Sequence, residues 1–431
     1  MSASAAVSPL VPVLRFWRWV HNSAFWTTVA DIFAVLTALA LPWSTSAVSI
    51  LMGCWLGSAA MMINFPIYFR SLKQPICFFP VALFVLAGVG MLWSDGSWNE
   101  RLHALGPLVK LLALPGLFHH FERSARGKWV FAAFLISCMI MAVLSWIVAF
   151  YPEATLKPLS ERTCGVFVKN YIDQGQEFSL CAVALAFPVM TLLKAQRRLL
   201  AGLLAAIAFG FVINMVFVIA SRTALATIPI MLALFAFRYL KAREIVALGI
   251  VVVIAGLAWA VTPRMCRTVE TLSRDFQLYQ ERNIPTSAGL RLEYWKKSLQ
   301  FIGEAPIAGH GTGAIRGLFR KAATGNERDA TGDVVANPHN QTFGVAIQWG
   351  AFGVVLLYAM WLSHLLLFLP GRSLAAWIGL LVVVQNVLTS LFNSHLFDFH
   401  AGWMYVLGVG IAGGMVQKAR ADEIGNRQVE A

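Results

Sequence analysis

Charged residues are scarce in this sequence. They make up 13% of the 431 residues, against 58% hydrophobic residues, and the mean hydropathy is +0.68. Apolar runs of roughly 18 residues or more recur along the chain, which is the length of a membrane-spanning helix. Such uninterrupted runs exclude an outer-membrane barrel, whose strands alternate apolar and polar residues over about ten positions. The sequence therefore predicts an all-α, polytopic integral membrane protein.

Two families of sequence motif are also missing. The glycine-rich segment Ala305–Gly313 is not followed by Gly-Lys-Ser or Gly-Lys-Thr, and no strand is predicted before it. Nucleotide-binding sites of the P-loop and dinucleotide-binding types are therefore excluded, and the segment predicts a tight turn between two short helices. A Gly-x-Ser-x-Gly motif is absent, so an α/β-hydrolase has no support. We predict that the protein uses no cofactor.

Cysteine is sparse, with six residues in all. Four of them lie in or beside apolar runs, where a thiol packs as a small apolar side chain. Cys164 and Cys266 lie in loops on the same predicted side of the membrane. They form either one disulfide, if that side is oxidising, or two free thiols.

The apolar runs predict about 12 transmembrane helices, separated by polar breaks. Their predicted ranges are 25–41, 48–64, 77–94, 104–119, 129–150, 174–193, 198–217, 222–238, 244–262, 339–369, 373–392 and 399–417. The first is predicted to be retained rather than cleaved as a signal peptide. These helices divide the chain into four predicted segments: helices 1 to 9 in residues 1–262, a large loop in 263–338, helices 10 to 12 in 339–417, and a tail in 418–431.

Lysine and arginine concentrate in alternate connections. The connections at 42–47 and 393–398 carry neither residue, and 95–103 carries only Arg101, whereas those around Arg70, Arg126, Arg197 and Arg243 are basic. By the positive-inside rule, both termini and the tail are cytoplasmic, and the loop Pro263–Pro338 faces outward. The net charge of +13 arises largely from residues beside spans, so it does not indicate a nucleic-acid partner.

The large loop carries eleven lysines and arginines against eight acidic residues. Long outward loops report topology poorly, so this basic excess needs a separate explanation. A basic loop over a bundle of spans suits chemistry on an anionic, membrane-bound substrate.

Arg222 opens the eighth predicted span within the motif Ser221-Arg222-Thr223-Ala224. A guanidinium at the outer interface is costly unless it meets a ligand or a carboxylate. One alternative is that Arg222 snorkels to the lipid headgroups. The other is a phosphate clamp, because guanidinium offers two parallel hydrogen bonds and a helix N-terminus adds backbone donors.

A second arginine lies in an amphipathic helix of the loop, predicted over Ala288–Phe301 with Ser287 as its N-cap. Arg291 is one turn from Trp295, so both can face the same way. Either Arg291 meets lipid phosphate from an interfacial helix, or it is a second phosphate ligand together with Arg222.

His339 and Asn340 lie at the outer mouth of the tenth span, directly after Pro338. Histidine titrates near neutral pH, so a neutral imidazole can accept a proton from a hydroxyl group; a helix cap is the alternative. The last outward turn carries His395, Asp398 and His400. No pair of them has the i, i+4 spacing of a helical metal site, so we predict no metal and expect Asp398 to cap the turn or orient a substrate hydroxyl or an arginine.

These residues together resemble the O-antigen ligase and polymerase superfamily of bacterial envelope glycosyltransferases. The matching pieces are Ser221–Ala224, Gly289–Trp295, Pro306–Gly313 and the segment from His339-Asn340 to Gly350–Gly353, in the family's order. The resemblance implies a GT-C-like, multi-pass protein of the bacterial inner membrane with a periplasmic active site. It also implies metal-independent, inverting transfer of a polysaccharide from undecaprenyl diphosphate to a hydroxyl of lipid A–core oligosaccharide.

Carried over by position, the resemblance gives Arg222 and Arg291 the donor diphosphate and His339 the acceptor hydroxyl. Asp398 matches a late acidic position of the family, and Asn340 adjoins the histidine. In the first half of the chain, only charge and location select Arg162, Lys169, Asn170 and Gln174 as substrate-binding candidates. The partners implied are undecaprenyl-diphosphate-linked O-antigen, lipid A–core and membrane lipids.

Three alternatives to a ligase stay open. An O-antigen polymerase and a protein O-oligosaccharyltransferase share the donor chemistry and differ in the acceptor, which no motif reports. A lipid or solute transporter would be favoured by ionisable residues near the membrane midplane, for which Asp31 and Lys110 are the candidates.

Overall fold

The computed structural model describes residues 23–219, 221–260, 263–326 and 329–430, and every regular element in these ranges is helical. The α-helices in the first half are α1 (Ser23–Ala40), α2 (Thr45–Ala60), α3 (Phe65–Ser71), α4 (Pro75–Val89), α5 (Trp98–Leu105), α6 (Ala113–Phe121), α7 (Gly127–Phe150), α8 (Tyr171–Ala184) and α9 (Ala186–Lys194). Those in the second half are α10 (Arg198–Phe217), α11 (Arg222–Tyr239), α12 (Ala242–Ala260), α13 (Pro263–Arg282), α14 (Ser287–Glu304), α15 (Ile315–Lys321), α16 (Gln341–Phe368), α17 (Leu374–Thr389) and α18 (Phe399–Glu430).

Seven spans in the described part of the chain are long and apolar enough to cross a membrane. They begin at Trp98, Gly127, Tyr171, Arg198, Arg222, Gln341 and Phe399. An eighth is added if α2 and α3, which meet at a bend of 119°, form one broken span. The protein is therefore a multi-pass membrane protein. Each of the twelve predicted segments overlaps a helix. The number of twelve transmembrane spans and the GT-C-like fold class stay predictions.

Several predicted boundaries differ from the structure. The second segment was expected to run to residue 64, but α2 ends at Ala60 and Asn64 caps α3. The fourth contains a 3₁₀ turn, Gly106–Leu112, because Pro107 interrupts regular α-helical hydrogen bonding. The last helix continues to Glu430, so residues 418–430 are helical. The predicted cytoplasmic position of the N-terminus concerns residues outside the described ranges.

In the described part of the loop over 263–338 there are three α-helices, α13, α14 and α15, and a 3₁₀ turn at Ala330–Gly332. Thr286, rather than the predicted Ser287, caps α14, since its hydroxyl accepts a hydrogen bond from the Gly289 amide at 3.2 Å. A small apolar core joins the loop to α16 and consists of Tyr294, Phe301, Ile315, Phe319 and Ile347. The second half of the loop is thus packed onto the bundle.

The predicted glycine turn docks into a kink of α16. Gly350 has φ +58° and ψ −149°, and the amides of His310 and Gly311 donate to the carbonyls of Ile347 and Gln348, both at 2.8 Å. A side chain at Gly350 would overlap the Ile307 carbonyl. The kink therefore receives the turn, and it fixes the loop against the first half of α16.

Candidate active site

His339 lies at the mouth of α16 in a left-handed backbone conformation, with φ +53°. Such a conformation is uncommon outside glycine and clusters at functional positions. The Asn337 side-chain oxygen accepts the His339 amide hydrogen at 2.9 Å, and Asn340 caps the helix by accepting from the Phe343 amide at 3.1 Å. The turn therefore holds the half-buried imidazole out of the helix.

A chain of side chains orients this imidazole. Asn393 Oδ1 lies 2.9 Å from His339 Nδ1, and Asn393 Nδ2 donates to Asp398 Oδ2 at 2.9 Å. An ionised carboxylate only accepts, so the amide nitrogen must face Asp398 and its oxygen must face the histidine. In neutral His339 the proton therefore resides on Nδ1, which leaves Nε2 able to accept a proton.

Tyr294 of α14 supports the imidazole from its face. The two rings lie 5.9 Å apart between centroids at an angle of 23°. The Tyr294 hydroxyl donates to Asp333, and burial, reinforced by that carboxylate, raises the pKa of Tyr294. The phenol therefore stays protonated and the contact from the loop to His339 is fixed.

Residues from distant spans hold Asp398 in place. Lys110 donates to the Asp398 backbone carbonyl at 2.5 Å, and Asp398 Oδ2 lies 3.3 Å from His395 Nδ1. His395 in turn contacts Gln176 of α8. Lys110 is one of the two ionisable residues that, by sequence, would favour a transporter. In the structure it anchors the turn that carries Asp398.

His400 and His395 face different partners. His400 Nδ1 lies 3.1 Å from Asp173 Oδ2, and its Nε2 is buried without a hydrogen-bond partner among the described residues. No group of three or more histidine, cysteine or acidic side chains in the described ranges is arranged to hold a metal ion. His395, Asp398 and His400 therefore do not converge on one point.

The two predicted donor-binding arginines lie unpaired. Arg222 begins α11 and is exposed, and the preceding Ser221 packs against Gly175 of α8. Arg291 is half-buried one helical turn before Tyr294, the residue that stacks on His339. Neither guanidinium forms a hydrogen bond or ion pair with a residue that the structure describes. Both are therefore available to an anionic ligand.

The remaining predicted substrate-binding residues differ in whether their side chains already have hydrogen-bond partners. Gln174 donates to the Gly165 carbonyl at 3.1 Å, and Asn340 donates to the Leu391 carbonyl at 3.1 Å, so both amides already have structural partners. Lys169 donates to the Leu41 carbonyl, and burial lowers the pKa of Lys169 to about 8 despite nearby carboxylates. Arg162 is exposed. Substrate binding by all four stays a prediction.

The predicted disulfide is only partly described. Cys164 is exposed and free. The side chain of Cys266 lies outside the described part of the chain.

Comparison with known proteins bears on the segment that contains these residues. Residues 207–358 match a family model described as O-antigen ligase. This segment of the chain is therefore similar to the O-antigen ligase family, and the match supports the resemblance to the O-antigen ligase and polymerase superfamily. No curated protein matches the chain. Arg222, Arg291 and His339 all lie within the matched segment, whereas Asp398 lies beyond its end.

Sequence reasoning from the superfamily's motifs missed Asn393, Asn337 and Tyr294. Asn393 stands beside residues that the sequence did single out, in the last outward turn. An amide in such a turn is usually a cap, so nothing local marks it as the link between Asp398 and His339.

Proposed function

We propose that the protein is an O-antigen ligase. It transfers a polysaccharide from undecaprenyl diphosphate to a hydroxyl group of lipid A–core oligosaccharide, at the periplasmic face of the bacterial inner membrane, with both termini in the cytoplasm. The observation that carries the proposal is His339, held through Nδ1 with Nε2 left free, within the segment that matches the O-antigen ligase family.

In the proposed reaction, the acceptor hydroxyl oxygen attacks the anomeric carbon of the donor sugar. His339 Nε2 takes the hydroxyl proton as the new glycosidic bond forms. The bond from the anomeric carbon to the diphosphate oxygen breaks, and undecaprenyl diphosphate leaves with the electron pair. Because this is a single displacement, the anomeric configuration inverts. The imidazolium that forms keeps its Nδ1–H bond to Asn393, and the Asp398 carboxylate stabilises its charge.

The leaving diphosphate needs positive charge. Arg222 and Arg291 supply two guanidinium groups without competing partners among the described residues. A guanidinium group can donate two parallel hydrogen bonds to phosphate oxygens. Positive charge placed where negative charge develops on the leaving diphosphate lowers the activation barrier of the transfer. The arginines therefore take the role that a divalent cation has in other transferases. A chelator is expected to leave the rate unchanged.

Reconstitution in lipid vesicles tests the proposal. Purified protein is supplied with undecaprenyl-diphosphate glycan and, in separate reactions, lipid A–core, a second donor molecule or a hydroxyl-bearing peptide. A ligase modifies only lipid A–core. Elongated donor identifies a polymerase, and glycosylated peptide a protein O-oligosaccharyltransferase.

His339→Ala tests the proposed base in the same assay. Transfer is expected to fall by roughly 10²–10⁴-fold, the usual contribution of general acid–base catalysis. The thermal midpoint should stay that of the unaltered protein. The exposed Lys296→Ala, in the same loop, is the control and should retain full activity. Normal ligation by His339→Ala would show that the base is another group.

A further inference from the structure

A cavity of about 390 Å³ opens beside the proposed catalytic residues. One of its walls is a single face of α5, formed by Asn99, His103 and the small residue Ala104. Its lining also includes Arg316 at the start of α15. The cavity is therefore lined both by the 98–105 helix and by the large loop.

Three exposed polar side chains in this cavity form no hydrogen bond with a described residue, although Glu100, which also lines the cavity, interacts electrostatically with Arg316. Asn99 and His103 are four residues apart, so they project from the same side of the helix. Together with Arg316 they are exposed, and none forms a hydrogen bond or ion pair with any residue in the described ranges. They leave several donors and acceptors directed at whatever occupies the space.

The inner end of the cavity reaches the chain that orients His339. Asn337, Ser394 and Asp398 line it. Asn337 Oδ1 accepts from the Ser394 hydroxyl at 2.7 Å and from the His339 amide, and Asp398 accepts from Asn393. A ligand in the cavity is thus one or two side chains away from the imidazole.

A second cavity, of about 300 Å³, shares Asp398 with the first. It is lined by Asp173 and His400 as well as Asp398. Asp173 is in the first turn of α8, where Gly175 packs against Ser221, directly before Arg222. Because Arg222 is proposed to hold the donor diphosphate, we assign the second cavity to the donor. A transferase with two substrates needs a separate place for the acceptor.

The first cavity has the chemistry of a saccharide site. Its polar side chains alternate with apolar surface from Pro107, Ile315 and Phe397. Sugar rings present hydroxyl groups at their edges and C–H groups on their faces, so they match amide and imidazole groups set among apolar side chains. The volume is that of a ligand pocket rather than of a water site.

We propose that this cavity binds the saccharide of the acceptor, with Asn99 and His103 hydrogen-bonding its hydroxyl groups and Arg316 at the rim. This inference rests on the proposed function, because it assigns the second substrate of that same reaction. Asn99 and His103 determine acceptor affinity and take no part in donor binding.

The test is a pair of variants assayed in vesicles, with lipopolysaccharide lacking O-antigen as the varied acceptor and undecaprenyl-diphosphate glycan as the varied donor. The double variant Asn99→Ala/His103→Ala should raise the acceptor KM roughly tenfold, as expected for two lost hydrogen bonds, and leave the donor KM unchanged. Ala104→Phe should fill the cavity and raise the acceptor KM further. Leu102→Ala is the matched control, because Leu102 is on the same helix, is 59% exposed and does not line the cavity.

The outcomes separate the two proposals. If the unaltered protein transfers no glycan to any acceptor, the proposed function is wrong and this inference falls with it. If the unaltered protein is active and the double variant keeps its acceptor KM, only the cavity assignment is wrong. An equal rise in both KM values would also overturn it, since the cavity would then serve the donor. Should Ala104→Phe lower the thermal midpoint, the surface double variant decides alone.

Discussion

Asn393 Oδ1 lies 2.9 Å from His339 Nδ1, and this contact selects the imidazole nitrogen that is free to accept a proton. Asp398 imposes the orientation of the Asn393 amide, because its carboxylate accepts a hydrogen bond from Asn393 Nδ2. Asn393 is therefore a positioning residue that acts through His339.

Asn393→Ala should lower kcat by about 10–100-fold with little change in either KM, because part of the roughly 10²–10⁴-fold effect of a general base depends on its orientation. Asn393→Asp gives a sharper readout. A carboxylate beside the imidazole favours its protonated form, so the acid limb of the kcat/KM profile should move to higher pH. A purely structural Asn393 would change stability and leave the pH profile where it is.

Arg222→Ala and Arg291→Ala should each raise the donor KM by roughly 10–100-fold, as expected when a charge-assisted hydrogen bond to phosphate is lost. Arginine to lysine at either position should restore part of the affinity, because ammonium keeps the charge and loses the paired geometry. The measurement is the initial rate against donor concentration, with the acceptor saturating.

Arg282→Ala is the matched control for these variants, since Arg282 is an exposed arginine at the end of α13 in the same loop. An unchanged donor KM in both Arg222→Ala and Arg291→Ala would remove the diphosphate-binding role. A similar rise in the control would indicate a general effect of loop charge.

Gly350→Ala should destabilise the protein and abolish activity. The φ/ψ pair at Gly350 is accessible almost only to glycine, and a methyl group there would overlap the Ile307 carbonyl. Backbone strain of this kind lowers the free energy of unfolding by on the order of 1–3 kcal/mol. The glycine turn would also no longer dock against the kink of α16. Thermal unfolding in detergent measures the effect.

Gly303→Ala provides the comparison for this glycine. It lies in α14, where an added methyl group meets nothing within 4 Å. Its midpoint should be unchanged or slightly higher, because alanine favours the helix. Equal midpoints for both variants would contradict the docking role of the kink.

Lys169 should give the protein a pH-dependent stability. Burial lowers the pKa of Lys169 from its ordinary value to about 8. Folding therefore disfavours the charged amine, and the unfolded chain binds more protons between about pH 8 and about pH 10.4. The cost of burying the charge is fully present below pH 8 and disappears as the pH rises through this window.

The thermal midpoint of the unaltered protein should consequently rise, relative to that of Lys169→Met, between pH 7 and pH 10. Lys296→Met, at an exposed position, should follow the unaltered protein. If the thermal midpoints of all three proteins changed with pH in parallel, the charged form of Lys169 would not be destabilised by burial.

The sequence by itself determined the class of protein, and it singled out candidate site residues. Long apolar runs have one physical solution in a bilayer, the helix, because every backbone group must be hydrogen-bonded within its own segment. His339 and Arg222 stand out in the sequence because polar residues at the mouths of spans contrast with an apolar background, and Arg291 stands out on the amphipathic helix of the loop; their roles stay predictions. Helix ends were less certain: α18 was expected to end near residue 417, yet it continues to Glu430.

The tertiary structure alone decided how these residues are connected. His339 and Asn393 are 54 residues apart, Lys110 and Asp398 288 residues apart, and Gln176 and His395 219 residues apart. Local periodicity reports which face of a helix is apolar, but it carries no information about which polar side chain of another span will meet it. The hydrogen bonds that choose the free nitrogen of His339 form only when the helices pack, so the orientation of the proposed base follows from the fold.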